Sequence, residues 1–123
     1  MQYLTDRKRA QGLGAGSSGT QGHWQMMVRS MIMVVLVPLF ICALGHGIGG
    51  SFAEVQEYFS RPFPAIVLSL GLIVGLIHLM YEAQEAIEDY VHGVAEKLAL
   101  VALRAFCYTL IAAGLFAIAK MAL

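Results

Sequence analysis

Residues 64–90 read PAIVLSLGLIVGLIHLMYEAQEAIEDY and carry the pattern that decides the fold. The first part, 64–80, contains no charged residue and is near the length that crosses about 30 Å of hydrocarbon as a helix. The second part is acidic, and no Pro or Gly interrupts it before Gly93, so the helix is predicted to continue past the membrane boundary. The stretch therefore predicts a transmembrane helix with a polar extension.

Two further stretches have the same apolar character. Residues 30–48 carry no charge, and residues 98–123 are interrupted only by Arg104 and Lys120. A chain of 123 residues with 59% hydrophobic and 13% charged residues is too apolar for an ordinary soluble domain. We predict an all-α membrane protein with three transmembrane helices. The helices are expected at about 24–46, 62–92 and 96–122.

The first 22 residues differ from the rest. They combine a basic cluster with GLGAGSSGTQG, which is too rich in Gly and Ser to pack, so 1–22 is predicted to be a flexible tail before a membrane domain at 23–123. Gly14-x-Gly16-x-x-Gly19 matches the dinucleotide-binding fingerprint as a string. That fingerprint requires a preceding strand, and a basic cluster stands there instead, so nucleotide binding is rejected.

The cations are distributed unevenly between the two sides of the predicted membrane. The positive-inside rule therefore predicts a cytoplasmic N-terminus and a cytoplasmic 82–97 loop, with the 49–61 loop and the C-terminus outside. A net charge of zero excludes a global basic field for nucleic acid. The cations on the cytoplasmic side are Arg7, Lys8, Arg9, Arg29, Lys97 and Arg104, against Arg61 and Lys120 outside.

A polar stripe follows the second apolar run with 4-3-4-3 spacing, which places its members on one helix face. Asp89 lies eleven residues after His78, within about 20° of the same face and roughly 16 Å further along the helix. An ionisable group at membrane depth is costly unless it has a partner, so His78 is a functional candidate, with a structural histidine as the alternative. Glu82, Glu85 and His92 are interpreted as a solvated cytoplasmic face. The stripe comprises His78, Glu82, Glu85, Asp89 and His92.

Three other features have weaker interpretations. His23 and Arg29 enter the first span either as an interfacial anchor or as an anion site, since Arg offers a planar fork for carboxylates. Asp89-x-x-His92 resembles half of a di-iron motif, but such sites need carboxylates from several helices and the other spans offer none. His46 is assigned no role.

These residues together resemble the small D-type membrane anchor subunit of bacterial succinate dehydrogenase. The specific part is His-x10-Asp-Tyr, from His78 to Tyr90, and the weaker part is His-x5-Arg, from His23 to Arg29. The resemblance implies that His78 is an axial ligand of haem b iron. It implies that Asp89 and Tyr90 bind ubiquinone, and that Arg29, with His23, lies near the haem propionates.

The resemblance also implies the partners. The second haem ligand would come from a C-type anchor subunit, and succinate oxidation would occur on flavoprotein and iron–sulfur subunits. This chain has no flavin motif, and its two cysteines, Cys42 and Cys107, cannot hold an iron–sulfur cluster. The expected function is to pass electrons to ubiquinone at the bacterial inner membrane, linking the tricarboxylic acid cycle to the respiratory chain. The alternative is a non-catalytic three-helix scaffold that docks a soluble partner.

Overall fold

The computed structural model describes residues 5–12 and 17–123, and all regular structure within them is helical. Three of the helices contain segments long and apolar enough to cross a membrane, namely Thr20–Gly47, Pro62–Tyr90 and Val94–Ala122. The prediction of an all-α protein with three membrane-spanning helices is therefore confirmed. The helices in chain order are α1 (Asp6–Gln11), α2 (Ser17–Gly47), α3 (Phe52–Ser60), α4 (Pro62–Tyr90) and α5 (Val94–Ala122).

Two helix ends differ from the expected positions. Helix α2 begins at Ser17, earlier than the start expected near residue 24, because extending an existing long helix costs much less than nucleating a new one. The glycine motif that begins at Gly14 falls mainly within 13–16, outside the described residues. Helix α4 ends at Tyr90, and Gly93 has a φ of 77° in the turn that follows. His92 therefore lies in this turn and leaves the predicted helical stripe, which ends at Asp89.

Helix α3 lies in the loop between the first two spans, where no helix was predicted. A capping box starts it: the Ser51 backbone N–H donates to the Glu54 carboxylate at 2.7 Å, and the Glu54 N–H donates to the Ser51 hydroxyl at 3.4 Å. Phe59 is buried against Gly47 at the end of α2, where a larger residue would overlap its ring. The loop is thus a structured cap on one end of the three spans.

Helix α4 is the middle one of the three spans. It contacts both α2 and α5, whereas α2 and α5 do not contact each other within the described part of the chain. On the α2 side the Phe40 ring lies against Gly71, and on the α5 side Leu72 lies against Gly114. Small residues at such points let helices approach closely in a membrane, where van der Waals contact drives much of the association.

The uncharged run of α4 ends near the level of Arg104 on α5. Arg104 on α5 donates to the Gln84 side-chain oxygen on α4 at 3.0 Å, and Glu82 lies less than one turn before Gln84. From Glu82 to Tyr90 the helix extends roughly 12 Å further, as 1.5 Å per residue requires. The predicted continuation of the second span beyond its apolar run is confirmed.

Candidate functional site

His78 has no hydrogen bond to either ring nitrogen among the described residues. Its side chain is only 20% exposed, and its buried Nδ1 has no partner. Its Nε2 lies 3.7 Å from a Glu82 carboxylate oxygen, which is too far for a hydrogen bond. A buried polar side-chain atom usually has a hydrogen-bond partner, so an uncommitted imidazole here favours the binding of a group from outside the chain.

His46 offers a direct contrast within the same bundle. Its Nδ1 lies 2.9 Å from the backbone carbonyl oxygen of Cys42, one turn earlier on α2. An imidazole N–H that donates to a helix carbonyl is satisfied locally and needs no external ligand. The structure therefore separates a histidine with a local partner, His46, from one without, His78.

Arg29 stacks on an aromatic ring from the neighbouring helix. Its guanidinium carbon lies 4.3 Å from the centre of the Tyr81 ring, a cation–π contact between α2 and α4. Its Nε is buried and has no hydrogen-bond partner in the described residues. Since Tyr81 follows His78 by three residues on α4, the contact brings Arg29 to nearly the same level of the bundle as the uncommitted imidazole. Sequence reasoning missed Tyr81, because the 29–81 pairing depends on how α2 packs against α4.

His23 has no contact that brings it to His78, Arg29 and Tyr81. It is exposed, and it makes no side-chain hydrogen bond or ionic contact with the described residues. Six residues separate it from Arg29, which puts the two side chains about 120° apart around α2 and roughly 9 Å apart along it. Of the two residues predicted at this end of α2, the structure brings Arg29 to the level of His78 and leaves His23 exposed.

Asp89 and Tyr90 form the exposed end of α4. Tyr90 is 88% exposed, and neither side chain has a hydrogen-bond partner among the residues that the structure describes. Because α4 is continuous from His78 to Asp89, the two lie on one helix face as predicted from their spacing. A carboxylate and a phenol are therefore available together beyond the uncharged run.

A chain of hydrogen bonds ties this end of α4 to α5. Arg104 Nη2 donates to Gln84 Oε1 at 3.0 Å, and Gln84 Nε2 donates to Glu88 Oε1 at 2.8 Å. The cation and the carboxylate at its ends strengthen both bonds. This connection, which sequence reasoning did not identify, holds the last turns of α4, which carry Asp89 and Tyr90, against α5.

The described residues do not form a complete metal site. Within 5–12 and 17–123 no three His, Cys, Asp or Glu side chains lie close enough to hold a metal ion, and both cysteines are free. Asp89 and His92, the half-motif considered for a di-iron centre, belong to no such group. A metal bound by His78 would therefore need its other ligands from outside the described residues.

Comparisons with known proteins match nearly the whole chain. The family model for the succinate dehydrogenase/fumarate reductase transmembrane subunit matches residues 1–119. A curated protein of Paracoccus denitrificans, the succinate dehydrogenase hydrophobic membrane anchor subunit, is 41% identical over 123 residues, which is all of this chain and 95% of that protein. No solved structure matches.

Proposed function

The chain belongs to the succinate dehydrogenase/fumarate reductase transmembrane subunit family, and we propose that it binds one side of a haem b and part of a ubiquinone site. It is a succinate dehydrogenase membrane anchor subunit, a multi-pass protein of the bacterial inner membrane. Its role is to pass electrons from succinate oxidation on partner subunits to quinone in the membrane.

The residues present fit a haem. His78 supplies an imidazole whose nitrogens are not committed to other hydrogen bonds, and this observation carries the proposal. Arg29 supplies a cation at the polar boundary that can bind a propionate through its fork of N–H groups. When bound, a haem supplies one-electron transfer at this level of the membrane. A second protein ligand would come from a C-type anchor subunit, since the described residues include one uncommitted deep histidine, His78.

The exposed end of α4 is suited to a quinone head group. The Tyr90 hydroxyl donates a hydrogen bond to a quinone carbonyl, and the Asp89 carboxylate can accept and release a proton beside it. Quinone reduction takes up two protons, so the site must lie where water can reach it. The extension of α4 beyond its uncharged run meets this requirement.

The same extension faces the soluble part of the enzyme. With the N-terminus in the cytoplasm, as the distribution of cations predicts, Asp89 and Tyr90 are on the cytoplasmic side. The iron–sulfur subunit docks there and delivers electrons that the flavoprotein subunit has taken from succinate. The anchor performs no chemistry on succinate itself.

A reduced-minus-oxidised optical spectrum of the purified complex tests the haem assignment. We expect a low-spin haem b signal in the wild-type complex and its loss or severe perturbation in His78→Ala. His46→Ala is the matched control, because that imidazole has its own hydrogen-bond partner, and it should leave the spectrum unchanged. An unaltered spectrum in His78→Ala would reject His78 as the ligand. A wild-type complex without haem would favour the three-helix scaffold instead.

A further inference from the structure

The position of the Arg29 guanidinium is set by a ring on another helix. Arginine has a long side chain with many rotamers, and an anion-binding arginine works best when its fork is held in place before the anion arrives. Here the guanidinium carbon lies 4.3 Å from the centre of the Tyr81 ring. The contact restricts where the cation can lie in the interface between α2 and α4.

Because the partner of Arg29 is an aromatic ring, the guanidinium keeps its N–H donors available to bind an anion. Arg29 makes no ion pair with any described residue, although acidic side chains occur on the same stretch of α4 as Tyr81, at Glu82 and Glu85. A carboxylate partner would neutralise the guanidinium and occupy its donors. A ring face instead holds the cation without accepting hydrogen bonds from its in-plane N–H groups. Arg29 Nε therefore has no hydrogen-bond partner among the described residues.

The ring also couples two separate groups. Tyr81 follows His78 by three residues, so the two side chains lie on adjacent parts of the α4 surface, with a rise of roughly 4.5 Å between them. Any movement of α4 therefore carries the imidazole and the ring together. The ring in turn contacts the guanidinium of Arg29 on α2.

We propose that Tyr81 is a positioning residue that holds the Arg29 guanidinium toward a carboxylate of the cofactor bound at His78. This inference rests on the proposed haem function and adds to it a residue and a role on α4. The ring acts through Arg29 and touches no reacting atom. The face of the ring, and not its hydroxyl, is the functional part.

The test measures the midpoint potential of the low-spin haem in the purified whole complex by optical redox titration. The variants are Tyr81→Phe, Tyr81→Leu and Arg29→Leu, together with the Tyr81→Leu/Arg29→Leu double variant. A nearby cation stabilises the reduced haem, so Arg29→Leu should lower the potential. Tyr81→Leu should lower it by a smaller amount, and Tyr81→Phe should match the wild type because the ring face remains.

The double variant decides whether Tyr81 acts through Arg29. If it does, Tyr81→Leu causes no further shift once Arg29 is replaced by Leu. Additive shifts would overturn the inference, as would equal shifts in Tyr81→Phe and Tyr81→Leu, or a wild-type potential in Tyr81→Leu while Arg29→Leu is shifted. Tyr81→Met provides a second variant without a ring should Tyr81→Leu fail to assemble, with the same expectation.

Failure of the haem assignment can be distinguished from failure of the proposed role of Tyr81. In that case the wild-type complex lacks haem b, or His78→Ala retains an unaltered spectrum. The haem content of every variant is measured by extraction, and the midpoint potential is determined on the haem that each variant retains.

Discussion

The ring of Phe40 on α2 occupies the space that a side chain at Gly71 of α4 would need. On the side of α4 that packs against α5, Leu72 fills the corresponding space at Gly114 of α5. The middle helix is therefore packed closely on two sides about two turns from His78. Close contacts of this kind fix the depth and rotation of α4, and with them the level at which His78 and Tyr81 meet Arg29.

Gly71→Ala should destabilise the bundle. The added methyl group would overlap the Phe40 ring, and overpacking of this kind costs about 1–3 kcal/mol. Gly75→Ala is the matched control one turn further along α4, because its nearest contact would be the Met33 methyl group at an ordinary 3.9 Å. The measurement is the thermal stability of the detergent-solubilised complex. Equal stability of the two variants would contradict the close approach of α2 and α4.

Arg29→Lys should weaken haem retention modestly, because Lys keeps the charge and loses the planar fork. Arg29→Leu should weaken it more. Haem content per purified complex is the measurement. Arg61→Leu serves as a control, since Arg61 lies between α3 and α4 at the other end of the spans and pairs with Glu57 of α3 at 3.2 Å. If Arg29→Leu and wild type retain equal haem, Arg29 is an interfacial anchor only.

Tyr90→Phe should slow quinone reduction while leaving succinate oxidation intact. Loss of one hydrogen bond of about 1–2 kcal/mol corresponds to a change of roughly 5- to 30-fold in quinone turnover. Asp89→Leu should have at least as large an effect. Tyr108→Phe, on the exposed surface of α5, is the control for removing a phenol hydroxyl.

Two assays of these variants distinguish a defect at the quinone site from a defect in assembly of the complex. Succinate oxidation with an artificial acceptor that takes electrons before the quinone site should survive both Tyr90→Phe and Asp89→Leu. Equal loss in the two assays would indicate disturbed assembly. Full quinone activity in both variants would exclude these residues from the site.

Arg104→Met should loosen the end of α4. The Arg104–Gln84 hydrogen bond is an interhelical one, and its loss costs about 0.5–1.5 kcal/mol. We expect faster hydrogen exchange in residues 85–90, with little change in the buried part of α4. Lys97→Met removes a neighbouring charge on α5 as a control. Unchanged exchange in Arg104→Met would mean that the bond does not restrain this segment.

The capping box of α3 should give that helix a pH dependence. The Ser51 backbone N–H, and then the Ser51 hydroxyl, bond to the Glu54 carboxylate and lower the pKa of that carboxyl below its usual value of 4.5. A depressed folded-state pKa contributes stability that is fully present above pH 4.5 and is lost as the pH falls through the folded value. The difference in hydrogen-exchange protection of α3 between wild type and Glu54→Ala should therefore shrink below pH 4.5. A difference that persists at low pH would exclude the ionised carboxylate as its cause.

The sequence by itself determined the number of spans and the chemistry along the middle one. Runs of apolar residues near 20 in length must form helices in hydrocarbon, because backbone polar groups have no other partners there. The absence of a helix breaker between Met80 and Gly93 was enough to place His78 and Asp89 on one helix face. The same reasoning expected His92 on that face, which was wrong because the helix ends before the turn at Gly93.

Only the tertiary structure decided which residues meet across helices. Tyr81 is an unremarkable interfacial residue until α2 brings Arg29 over its ring, and Gln84 gains a partner only because α5 returns antiparallel beside α4. These pairings join residues far apart in the sequence, and they depend on the depth and rotation of packed helices. Close contacts such as that between Phe40 and Gly71 set the depth and the rotation of the helices. The hydropathy of the sequence carries no information about such contacts.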